Sequence, residues 1–214
     1  MPSNETTNDE TRTRRRVLAS TGATAAVGLA GCSGRIPGTG PTEYGTETSV
    51  TDGRVLWRYP PREDDRDGIG YAAVEAERRE RRGDLPPVLR LRFNSTVGRL
   101  AASDPYRGYE PDWFRFRVWP PGDYDGRLDY HFRAEPPGQW DGFSTRYDVR
   151  GAVKQAVVRL DDVNTQGTIV VPAVFDPGLN PLPEELECSF TVQASRPGLL
   201  GRTVRVTDSA TLDV

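Results

Sequence analysis

Alternation of apolar and polar residues is the feature that most constrains the fold of this chain. In Phe114–Val118, apolar residues alternate with Arg115 and Arg117, and the same period of two recurs in five other runs. A strand turns successive side chains to opposite faces, so each run is typical of a half-buried strand. The other runs are Val55–Tyr59, Leu89–Phe93, Leu128–Phe132, Phe190–Ala194 and Val204–Val206.

Turn signals separate these runs. Two further segments, Val153–Leu160 and Thr168–Phe175, are more uniformly apolar and also predict strands. Pairs such as Pro120-Pro121 and Asp67-Gly68 lie between the runs and favour turns. Many short strands with this punctuation predict an all-β chain folded as an antiparallel β-sandwich. An immunoglobulin-like Greek key is the first expectation, and a jelly roll is the second.

One segment fits two structures. Ala72–Arg82 is rich in helix-forming residues, and Glu75 and Arg79 are spaced as a helical ion pair. Its apolar stripe is narrow, however, and consists mainly of alanine. We expect a strand from Ile69 to about Ala76, followed by a charged turn or short helix that ends at Gly83.

The N-terminal region contains a charged segment followed by an apolar one. Arg14, Arg15 and Arg16 precede Val17–Gly31, a run of 15 uncharged residues. A helix of that length spans about 22 Å, whereas a bilayer core needs roughly 20 residues. The run is therefore too short for a stable span and is typical of a signal peptide.

Two short motifs in this region resemble known export and processing signals. The order Thr-Arg-Arg-Arg-Val-Leu resembles the twin-arginine export signal, with Arg14 and Arg15 as the pair and Val17 where the pattern prefers Phe. Leu29-Ala30-Gly31-Cys32 resembles a lipobox, which implies cleavage before Cys32 and a lipid on its sulfur. Together with the dominance of arginine over lysine, the motifs resemble those of cell-surface lipoproteins of halophilic archaea.

This resemblance divides the chain into three parts. Residues 1–31 are expected to form a twin-arginine lipoprotein signal peptide. Residues 32–53 are expected to carry the lipid and serve as a flexible tether, because Gly, Pro, Ser and Thr bury little apolar surface. Residues 54–214 are expected to form a single sandwich domain at the outer face of the cell membrane.

Composition argues against several classes of function. The net charge of −3 argues against nucleic-acid binding, which needs basic patches. The single histidine, His131, excludes multi-histidine metal sites. No nucleophile-elbow or phosphate-loop motif occurs, so we expect no catalytic site, no cofactor and no metal site. Cys188 shares strand parity with Phe190 and is expected to face the core.

A group of aromatic and arginine residues is the candidate binding patch. Trp113, Arg115, Arg117 and Trp119 share one face of a predicted strand, and Trp140 lies in a nearby loop. An Arg–Trp face suits protein contact, and exposed aromatic rings suit stacking on sugars. Separately, Asn94-Ser95-Thr96 is an N-glycosylation acceptor pattern at the end of a predicted strand.

These features predict a lipid-anchored cell-surface protein with a non-catalytic sandwich. Its first expected role is that of a protein-interaction or structural module that binds a membrane or cell-wall protein. The alternative is a carbohydrate-binding module that uses exposed Trp and Tyr loops to bind a surface glycan. A hydrolase is third, since paired carboxylates for glycoside hydrolysis leave no local motif.

Overall fold

Twelve β-strands make up the regular structure of the described residues. We describe a computed structural model, which covers residues 40–59, 68–98, 107–134, 142–163, 167–197 and 202–214. Its strands are β1 (Thr42–Tyr44), β2 (Glu47–Thr51), β3 (Arg54–Tyr59), β4 (Gly70–Arg79), β5 (Val88–Val97), β6 (Glu110–Trp119), β7 (His131–Ala134), β8 (Phe143–Arg150), β9 (Val153–Asp161), β10 (Gly167–Asp176), β11 (Glu185–Ser195) and β12 (Thr203–Asp213).

The strands form two six-stranded sheets. Sheet A has the order β1-β12-β11-β6-β9-β8, and sheet B has the order β2-β3-β4-β5-β10-β7. Neighbouring strands are antiparallel except for β1, which runs parallel to β12. The prediction of an antiparallel β-sandwich is confirmed.

The strand order is that of an immunoglobulin-like Greek key. Strands β4, β5, β10 and β7 occupy the places of A, B, E and D, and β12, β11 and β6 occupy those of G, F and C. In sheet A, the hairpin β8–β9 is added beside β6, and β1 is added beside β12 at the opposite edge. In sheet B, β3 and β2 are added beside β4. The expected topology is therefore confirmed, with a hairpin inserted between the D-like and E-like strands.

Aromatic side chains from both sheets fill the core. Phe190 lies 4.8 Å from Trp57, 5.8 Å from Tyr59 and 6.4 Å from Phe116, measured between ring centroids. Each of these rings belongs to the apolar parity of a strand predicted from the sequence. Cys188 is also fully buried, and burial raises the pKa of its thiol well above the ordinary value, as expected for a core residue.

The sandwich begins before Arg54, within the segment predicted to be a tether. Strands β1 and β2 lie there, and the compact unit extends from Gly40 to Val214. The prediction failed because β2 is exposed along its whole length and contributes its backbone to the β3 ladder rather than side chains to the core. Thr48 Oγ1 also donates a 2.6 Å hydrogen bond to Asp208 of β12 and so links the two sheets.

Two strand boundaries differ from the predictions. Leu128 is 47% exposed and lies in a turn, so the strand predicted over 128–132 begins only at His131. The turn is closed by hydrogen bonds from Arg127 N to Tyr124 O and from Asp129 N to Gly126 O. Strand β4 continues to Arg79 rather than ending at about Ala76, because the charged residues 77–79 pair with β5.

Candidate functional site

The outer surface of sheet A is the candidate site. Strand β6 turns Phe114, Phe116 and Val118 into the core and the Arg/Trp face outward. We define the Arg/Trp face as the side chains of Trp113, Arg115, Arg117 and Trp119. All four are intermediate in exposure, so the structure brings these predicted site residues together on one surface.

Strand pairing surrounds this face with further polar side chains. Trp113 stands opposite Gln193 on β11 and opposite Asp161 on β9. Arg115 stands between Thr191 and Arg159. Two arginines directly opposite each other repel, so the neighbouring groups must compensate for their charge.

Arg159 has its own carboxylate partner. Its Nε lies 2.9 and 2.8 Å from the two carboxylate oxygens of Asp161, and one terminal nitrogen lies 2.6 Å from Oδ1. These bonds lower the pKa of the Asp161 carboxyl and raise the pKa of the Arg159 guanidinium. The same guanidinium lies 4.9 Å from the centre of the Trp113 ring. Trp113 is therefore held in a cation–π contact.

Arg115 carries the least compensated charge of this group. Its guanidinium lies 5.9 Å from the Trp113 ring, and one nitrogen donates a 3.3 Å hydrogen bond to Thr191 Oγ1. Among the described residues, no carboxylate forms a salt bridge with it. Burial lowers the pKa of Arg115, repulsion from neighbouring arginines lowers it further, and the carboxylate of Asp148 offsets only part of this. This part of the face is thus suited to a carboxylate or another anion from outside.

Arg117 is held only loosely. Its terminal nitrogen lies 3.9 Å from Asp148, a carboxylate that also accepts a closer contact of 3.2 Å from Arg146. The Nε atom of Arg117 is buried and has no hydrogen-bond partner in the described part of the chain. That Nε is out of reach of a partner, so only the terminal nitrogens of Arg117, on a side chain that is 20% exposed, can bind one.

The sequence did not identify Arg159 and Asp161 as site residues. Val153–Leu160 reads as a uniformly apolar strand, and its polar ends give no sign of a neighbour. Only the β6–β9 pairing places Arg159 beside Trp113. The alternation of Arg159 and Asp161 about Leu160 was the one available signal.

The other predicted site residues lie elsewhere. Asn94 lies inside β5, paired with Ala73 and Val170, rather than at a strand end, and its modification stays a prediction. Arg14, Arg15, Cys32 and Trp140 lie outside the described residues. His131 is exposed on β7.

The described ranges contain neither a cluster of metal-ligating side chains nor a helix that could span a membrane. No three His, Cys, Asp or Glu side chains in them are grouped as metal ligands. None of their segments is a helix with the length and hydropathy needed to span a bilayer.

A shallow cleft of mixed polar and apolar lining lies at one end of the sandwich. Its volume is about 500 Å³, and it is lined by the loop after β4 and the loop after β10, including Leu85, Pro86 and Leu182. Leu179 at its rim is 83% exposed. Arg78 and Asp84 also line the cleft, so it offers one charge of each sign rather than the cluster of arginines found on sheet A.

Comparison with known proteins identifies no family. No family model and no curated protein matches the chain. The chain is similar to the collagen-binding domain of a Staphylococcus aureus adhesin, with 9% identity, a TM-score of 0.32 and coverage of 66% of this chain and 97% of that one. The chain is also similar to BspA_C_WT, with 10% identity, a TM-score of 0.31 and coverage of 77% of this chain and 60% of that one. A third similarity is to a pore-forming protein, with 10% identity, a TM-score of 0.29 and coverage of 78% of this chain and 92% of that one. Similarities of this size carry no information on a ligand or partner.

Proposed function

We propose that this chain is a lipid-anchored cell-surface protein whose β-sandwich acts without catalysis as a protein-interaction module. The Arg/Trp face is its contact surface. The observation that carries the proposal is Arg115, a half-buried guanidinium with no carboxylate in salt-bridge range within the described residues.

The chemistry of the face fits a protein partner. Arginine and tryptophan are the residues most enriched among those that dominate binding energy at protein interfaces. Arg115 and Arg117 both have unused donor capacity, which an Asp or Glu side chain can satisfy through paired hydrogen bonds. The partner surface is therefore expected to carry carboxylates.

Sugar binding is the alternative, and the environment of Trp113 weighs against it. A platform for a sugar ring needs an open aromatic face. The guanidinium of Arg159 lies 4.9 Å from the Trp113 ring centre, and that of Arg115 lies 5.9 Å from it. Trp119 and Trp140 are the residues left for a sugar-binding role.

The interaction is tested by reversing charge on the face. Arg115→Glu combined with Arg117→Glu is expected to reduce the partner recovered from cross-linked membranes by about tenfold or more, because two attractive contacts become repulsive. The measurement is quantitative mass spectrometry of proteins that co-purify with the tagged full-length chain. A matched control is Arg58→Glu with Arg92→Glu, which changes the same charge on the outer face of sheet B. Equal recovery of partner with the Arg115/Arg117 variant contradicts the proposal.

The anchor is tested separately. Cys32→Ser is expected to move the protein from the membrane fraction to the soluble fraction, because it removes the sulfur that would carry the lipid. Immunoblotting of fractionated cells measures this, and Ser33→Ala is the control that keeps the cysteine. A Cys32→Ser protein that stays with the membrane rules out anchoring through this residue.

A further inference from the structure

We propose that two copies of this chain pair through strand β8, so that sheet A continues across a two-fold axis. This inference is independent of the partner proposed for the Arg/Trp face. It follows from the position of β8 at the edge of sheet A in the described residues and from the order of charges along the strand.

The four sheet edges differ in how they are protected. Strand β1 is three residues long, β2 is five and β7 is four, whereas β8 has eight residues. Short edge strands are one way in which proteins avoid edge pairing. In the part of the chain that the structure describes, no strand pairs with the outer side of β8.

The neighbouring edge, on β7, is already capped by a side chain. Tyr147 Oη accepts a 2.5 Å hydrogen bond from Phe132 N and donates a 3.2 Å hydrogen bond to Phe132 O. The Lys154 ammonium lies 4.7 Å from the Tyr147 ring and 4.6 Å from the Tyr130 ring, which helps to fix the phenol. The contact closes the edge of β7 and anchors β8 beside it.

The hairpin defines which backbone groups of β8 point to the free edge. A two-residue turn at Gly151 and Ala152 joins Arg150 to Val153, so this closing pair is hydrogen-bonded. Hydrogen-bonded pairs then alternate with non-hydrogen-bonded ones along the ladder. Thr145, Tyr147 and Val149 fall in the second class, and their N–H and C=O groups point away from β9.

These groups match themselves in an antiparallel arrangement. A two-fold axis at Tyr147 pairs Tyr147 with its own copy and pairs Thr145 with Val149 of the second copy. In this register every outward N–H and C=O of the three residues meets a partner. The contact also covers Val149, which is 65% exposed.

The same register is complementary in charge. It places Arg146 directly opposite Asp148 of the second copy, and symmetry repeats the pair. These residues fall at non-hydrogen-bonded positions, where opposite side chains approach most closely. Within one chain they already lie 3.2 Å apart on the outer face, so pairing creates a four-cornered group of charges that alternate in sign around it.

The test uses two variants. Each of them alone removes the charge complementarity, and mixing the two restores it. Arg146→Asp places Asp opposite Asp, and Asp148→Lys places Lys opposite Arg, so each alone is expected to raise the dimer dissociation constant by about tenfold or more. Mixed, the two variants form a heterodimer in which both pairs are again of opposite charge. Analytical ultracentrifugation of the full-length chain in mild detergent measures both effects. Arg150→Asp is the matched control, because Arg150 faces Ser144 in this register.

A second readout locates the interface. Amide exchange of Thr145, Tyr147 and Val149 is expected to slow as protein concentration rises, because their N–H groups become hydrogen-bonded. A monomer at all concentrations overturns the proposal, as does a dimer that neither single variant weakens. Protection of these amides only on addition of a different membrane protein also overturns it, because the edge then receives a foreign strand. Circular dichroism of each variant separates loss of pairing from loss of fold.

Discussion

Gly70→Ala is expected to destabilise the sandwich by about 3 kcal/mol or more. A Cβ atom built at Gly70 lies 1.8 Å from the Thr96 carbonyl oxygen and 2.9 Å from its carbonyl carbon. Both atoms belong to the backbone of β5, which is paired on both sides, so neither can move without disturbing two ladders. The midpoint of urea unfolding, followed by tryptophan fluorescence, measures the loss.

Gly122→Ala is the control for this prediction. A Cβ atom at Gly122 meets nothing within 4 Å, so the same chemical change is expected to leave the midpoint within about 0.5 kcal/mol of the parent. Equal stability of the Gly70→Ala and Gly122→Ala variants would show that β4 and β5 do not approach as closely as described.

Phe190→Ala is the second substitution with a large expected effect. Phe190 is 2% exposed and contacts rings from β3 and β6, so it joins the two sheets at the centre of the core. Truncation removes apolar area and leaves a cavity that the packed rings cannot fill, at a cost of about 3–5 kcal/mol. Urea unfolding again measures it.

Two comparisons make this second prediction specific. Phe190→Leu keeps most of the apolar volume and is expected to lose less stability than Phe190→Ala. Leu179→Ala removes an apolar side chain that is 83% exposed and is expected to have an effect within about 0.5 kcal/mol. If Phe190→Ala were no worse than Leu179→Ala, the two sheets would not share this core.

The strand pattern of the core was predictable because it is local. Phe114, Phe116 and Val118 alternate with polar residues, and this spacing alone assigns them to one face of β6. The same parity correctly placed Arg115 and Trp113 on the opposite face. An alternating strand with one buried face has little freedom, since a shift of one residue would expose the whole apolar set.

The strands at the edges were not predictable in this way. The segment 42–51 carries few apolar residues, and β2 is held by backbone hydrogen bonds to β3 and by the Thr48 hydroxyl, which donates to Asp208. Such bonds leave little trace in the hydrophobic pattern. For the same reason the capping of β7 by Tyr147, across 15 positions of sequence, could be found only in the folded chain.

The sequence by itself determined the sandwich class, the inward parity of the core and the outward parity of the Arg/Trp face, because each depends on neighbouring residues along one strand. Tertiary structure alone decided that Arg159 lies over Trp113, that Gly70 lies against β5 and that β8 is the last strand of sheet A in the described residues. These features depend on which strands become neighbours, and sheet order is set by packing between residues far apart in the chain.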